Sequence, residues 1–207
     1  MASTLYSGLM ALVLSDAHYH RLDVALFAYL RKLLAGKACA KEGEASQGVR
    51  YKALSNARVT QLSMVCSSRV ELCLQRLGML QSCFRQPQHH QLYLTALLGS
   101  YEFESATGGM PDHSHFQQAV GDLGMLAFID DGLDFAASCK DPRELLSDAS
   151  KREDFLRIDC TALRAAEIMD RIPSLLLTSK HSQERDYQCG ARLGDGTVCN
   201  AVFPSLS

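Results

Sequence analysis

The 207-residue sequence contains no tryptophan, and only 7% of its residues are aromatic. A core must therefore be built mainly from Leu, Ala, Val and Met. No apolar run approaches the ~20 residues that a helix needs to cross a bilayer. The stretch from Leu9 to Leu14 is short, no Lys or Arg precedes it, and Ser15-Asp16 ends it, so it does not read as a secretory signal. No phosphate-binding Gly-rich loop with its Lys occurs, and no Gly-x-Ser-x-Gly turn. No alternating strand pattern of useful length precedes residue 185. These absences leave an all-α, non-enzymatic protein with no membrane partner as the expectation.

What is present is ordinary globular composition, 47% hydrophobic and 21% charged. The net charge of −2 hides an asymmetry. Residues 1–100 carry 11 Lys/Arg against 5 Asp/Glu, and residues 101–180 carry 8 against 15. Only the first half is electrostatically suited to phosphate backbones; the plain alternative is solvated helix faces. Eight cysteines would suggest disulfides in a small secreted chain, but Cys66, Cys73 and Cys83 sit in a helical pattern, where a free thiol behaves as a small apolar side chain. Reduced thiols in the nucleus or cytoplasm are expected.

Helix signals run along most of the chain. From Asp16 to about Ala35, Leu22, Leu26, Leu30, Leu33 and Leu34 recur at helical spacing, Arg31 and Lys32 occupy the last turn, and Gly36 suits the left-handed position beyond it. Residues 36–50 are polar and read as an exposed loop. Asn56 is expected to cap the next helix. Ser68 and Glu71 have the spacing of a capping box ahead of a helix with Val70, Leu74, Leu77 and Leu80 on one side, ended by Pro87. A helix from His89 to Leu98 follows. Gly108-Gly109 and Pro111 mark a boundary. Beyond it Phe116, Val120, Leu123 and Ala127 share a face, weakened by Gly121 and Gly124. Asp141-Pro142-Arg143-Glu144 resembles a helix start, and Ser150 with Glu153 a further capping box. The predicted organisation is a basic helical module (1–100), a linker (101–110), an acidic helical module (111–173), and a linker with a hairpin-like cysteine motif (174–207).

Several sets of polar residues could carry chemistry. Asp130-Asp131 is the lone Asp-Asp pair, expected at a helix end before Gly132, without the strand context of a two-metal site. His18 and His20, His89 and His90, and His113 and His115 lack the i, i+4 spacing with an acidic partner that makes a metal site persuasive. Cys39, Cys139 and Cys160 are isolated in sequence. The segment Tyr187 to Phe203 differs: it places an aromatic residue two before Cys189 and a Phe four after Cys199, with Leu193 to Gly196 as a turn. That pattern is similar to the two-stranded half of a C2H2 zinc finger, although the Cys-x9-Cys interval is longer than usual. Two thiolates make only half a four-ligand zinc site. No cofactor is expected, zinc entering only if another chain or a longer product supplies the missing ligands.

Two blocks resemble the region after the catalytic palm in reverse transcriptase-like proteins of LINE-type (non-LTR) retroelements. The first is Arg21-Leu22-Asp23 followed by Tyr29 to Gly36; the second is Leu54-Ser55-Asn56 followed by Arg69 to Arg85 with Gln75-Arg76-Leu77-Gly78-Met79-Leu80. Gln75 and Gly78 stand where the family has basic residues, and Met79 where it has Trp. The resemblance implies a palm upstream of Met1, finger ligands beyond Ser207, and a non-catalytic fragment of a larger polyprotein. It also implies weak, sequence-independent contact with RNA or DNA through Arg31, Lys32, Lys37, Arg58, Arg69, Arg76 and Arg85. The alternative reading is a helical module that binds another protein through its apolar faces.

Overall fold

The computed structural model describes residues 6, 8–45, 48–98, 115–172, 187–188 and 202–203. Most of the described residues are helical, which bears out the all-α class. The helices are α1 (Asp16–Leu34), α2 (Asn56–Ser63), α3 (Ser68–Arg85), α4 (Pro87–Leu98), α5 (His115–Met125), α6 (Asp130–Ser138), α7 (Glu144–Ser147), α8 (Ala149–Arg157) and α9 (Ala162–Ile168). Strands β1 (Cys39–Ala45) and β2 (Gly48–Ala53) lie between α1 and α2. The short β3 (Tyr187–Gln188) and β4 (Val202–Phe203) follow near the end of the chain.

The chain forms two compact units that are interleaved in sequence. One comprises residues 1–15 and 69–167, the other residues 16–68 and 168–207. This division differs from the one read in the sequence, because α3 and α4 share a unit with the helices of the acidic half. The expected linker, 101–110, lies outside the described residues.

In the unit built on residues 16–68, Leu26, Phe27, Leu30 and Val59 form the core, with Leu34, Leu54 and Val65 packed against it. Leu33, expected on the same apolar stripe, is instead 63% exposed, and Tyr19 and Asp23 are buried in its stead. Arg31 ties α1 to α2: its Nη2 donates to the Leu54 carbonyl (3.0 Å) and to Asn56 Oδ1 (2.7 Å), and its guanidinium lies 5.9 Å from the Phe27 ring centroid. Asn56 is thus a tertiary acceptor. The cap of α2 is Ser55, whose hydroxyl accepts from the Arg58 amide. Ala35, with φ of 47°, takes the left-handed backbone that the sequence assigns to Gly36.

Residues 39–53 correct the expectation of a loop. They form an antiparallel hairpin, with Cys39 opposite Ala53, Ala40 opposite Lys52 and Lys41 opposite Tyr51, closed at its base by the Leu54 amide on the Ala38 carbonyl (2.9 Å). An irregularity between Lys41 and Glu44 shifts the register. The polar run Lys41-Glu42-Gly43-Glu44 has no period-2 alternation in sequence, so periodicity cannot reveal the strand.

In the other unit α3 is surrounded by its neighbours. Val70, Leu72, Cys73, Leu77, Leu80, Cys83 and Phe84 are all buried, so apolar residues occupy more of the helix than the one stripe expected. Phe155 of α8 stacks on Phe135 of α6 (centroids 5.6 Å apart) and meets Phe84 edge-on (6.3 Å). Buried Gln81 of α3 donates through Nε2 to the carbonyls of Phe155 (2.8 Å) and Ile158 (2.9 Å), satisfying acceptors at the C-terminal end of α8. Glu71 accepts three charged hydrogen bonds from Nε and Nη2 of Arg164 of α9.

Two further caps differ from the sequence reading. Asp148, not Ser150, caps α8, accepting from the amides of Ser150 (2.9 Å) and Lys151 (3.1 Å). Asp130-Asp131 begins α6 rather than ending a helix, where its charge suits the positive end of the helix dipole. Gly132 is needed there, since a Cβ at this position would lie 2.2 Å from the Leu126 carbonyl oxygen.

Candidate functional site

The seven cations singled out in the sequence do not form one site. Arg31, Lys32, Lys37 and Arg58 belong to one unit, and Arg69, Arg76 and Arg85 to the other. Arg31 is engaged by Leu54 and Asn56. Lys32, Lys37 and Arg58 are exposed, Arg58 lying within 2.8 Å of Gln61 Oε1. Arg85 is exposed and Arg69 half-buried.

Arg76 points inward. Its Nε and Nη2 donate to Asp122 Oδ2 and Oδ1 at 2.5 and 2.7 Å, and each side chain is only 10% exposed. Burial raises the Asp122 carboxyl above its usual value, opposed by the hydrogen bonds and charge of Arg76. A guanidinium committed to a buried carboxylate is a poor phosphate contact, because meeting a phosphate would strand Asp122. Sequence reasoning did not find this pairing, since 46 residues separate its partners.

On the unit of residues 16–68, exposure adds cations outside the seven singled out in the sequence. Arg21, Lys41 and Lys52 are exposed alongside Lys32, Lys37 and Arg58. Asp23, an acid on α1, is turned inward, and its Oδ1 accepts from the Ser68 amide at 2.7 Å. A carboxylate there stabilises the first turn of α3 and takes one negative charge off the surface. On α1, Arg21 and Lys32 share the side opposite the buried one, with Ala25 and Ala28 between them at helical spacing.

The second surface is a groove of about 290 Å3 within the other unit. Met10 and Ala11, Leu77 and Leu80 of α3, Tyr93 and Leu97 of α4, and Ala119 of α5 line it, with the Arg76–Asp122 pair at its edge of polarity. Its size lies at the bottom of the roughly 300–1,000 Å3 range of ligand pockets, so it suits a few apolar side chains better than an extended ligand.

Among the described residues no group of three or more His, Cys, Asp or Glu side chains could hold a metal ion. Cys66, Cys73, Cys83, Cys139 and Cys160 are buried and Cys39 is half-buried. Burial pushes the Cys73 and Cys83 thiols up, and those of Cys139 and Cys160 up to about 11, which disfavours the nucleophilic thiolate at these four positions. In the C-terminal segment, Tyr187 pairs with Phe203 and Gln188 with Val202 in antiparallel register. Cys189 and Cys199 themselves, like His113, lie outside the described residues.

No family model, no curated protein and no solved structure matches this chain.

Proposed function

We propose that this chain is a non-catalytic binding protein of retroelement ancestry, whose residues 16–68 make weak, sequence-independent contact with the phosphates of RNA or DNA. The observation that carries the proposal is the exposure of Arg21, Lys32, Lys37, Lys41, Lys52 and Arg58 on one unit, while the Asp23 carboxylate is buried. The ancestry rests on the motif resemblance in the first and second blocks. Within those blocks Arg31 and Arg76 serve the fold, so the contact falls to Arg21 and Lys32 of the first block and to Lys37, Lys41, Lys52 and Arg58 outside both.

The test uses the full chain and fluorescein-labelled single-stranded RNA and duplex DNA, followed by anisotropy between about 20 and 200 mM salt. Binding that weakens with log salt at a slope of about −2 to −5, insensitive to sequence, is expected for that many phosphate contacts. The triple variant Arg21→Gln/Lys32→Gln/Arg58→Gln should weaken binding at least tenfold with unchanged helicity. No binding at the lowest salt, or binding unaltered in the variant, would overturn the proposal.

The groove between α3, α4 and α5 favours a second reading, a module that captures an apolar helix face. Binding by that surface should survive 1 M salt and be lost in Ala96→Arg, which places a charge at an exposed position of the groove wall.

A further inference from the structure

No further inference is drawn: the strongest candidate, the apolar groove walled by Leu77, Tyr93, Leu97 and Ala119, belongs to the second reading already stated, and nothing in the structure shows what covers it.

Discussion

Arg76 and Asp122 form a two-pronged ion pair in which each side chain is 10% exposed, joining α3 to α5. Removing one partner leaves the other charge buried. Arg76→Met or Asp122→Leu alone should therefore destabilise the chain by about 3–5 kcal/mol, whereas the double variant should recover most of that loss. Urea denaturation of the four proteins gives the coupling directly; additive losses would mean that the pair does not act as a unit.

The same pair sets a pH dependence. Burial raises the folded Asp122 pKa above the 3.8 of the free group. A carboxyl with a raised folded pKa favours the folded state while protonated. Its contribution is fully present below about pH 3.8 and is lost as pH rises through the folded value. Asp122→Asn should remove this decline, so the urea midpoint of wild type minus that of the variant should fall steadily as pH rises across that window and then level off. In Arg76→Met the lowering influence is gone, and the decline should extend to higher pH. A pH-independent difference would show that Asp122 titrates normally.

Glycines in this chain should respond in opposite directions to one substitution. Gly121 and Gly124 on α5 are exposed, with nothing within 4 Å of where a Cβ would stand. Changing either to Ala should raise stability by about 0.5–1 kcal/mol. Gly132→Ala pushes a methyl against the Leu126 carbonyl and should cost about 2–3 kcal/mol. Thermal midpoints of the three single variants check this.

Met64 ends α2 in the left-handed region, with φ of 55° and its amide on the Thr60 carbonyl, and its side chain is 66% exposed. Met64→Gly should stabilise by about 1 kcal/mol, since glycine takes this backbone without a Cβ clash. A lower melting temperature would mean that Met64 makes a contact worth more than the strain.

Native thiol labelling should follow exposure. With maleimide near pH 7, Cys39 should react first among the six described cysteines, while Cys139 and Cys160 react only on denaturation. With pKa near 11, their thiolate fraction at pH 7 is on the order of 10^-4. Peptide mass spectrometry resolves the sites; rapid native labelling of Cys160 would contradict its burial.

Helices were legible where apolar residues kept helical spacing, as for α1, α3 and α5. The hairpin was not, because Lys41 to Glu44 carries no apolar alternation. Leu33 shows the limit of counting: it keeps the spacing of Leu26 and Leu30 yet turns outward, while Phe27 takes its share of the core. For the candidate surface, sequence charge located the basic half but could not separate Arg31 and Arg76, held by Asn56 and Asp122, from Lys32 and Arg58, which project outward. Whether a cation is spent on the fold depends on partners brought close only by the tertiary structure.

The interleaving of the two units has a consequence for the order in which the protein can be made. The Leu14 amide donates to Gln118 Oε1, 104 residues away, and Gln118 Nε2 donates to the Leu12 carbonyl. During synthesis at roughly 5–20 residues per second, the first segment must wait about 5–20 s for that partner to be made. Residues 16–68 have all emerged well before then. The basic unit can therefore begin to fold on the ribosome while the start of the chain is still unmatched, and a product stopped near residue 100 would lack the acceptor for Leu14 altogether.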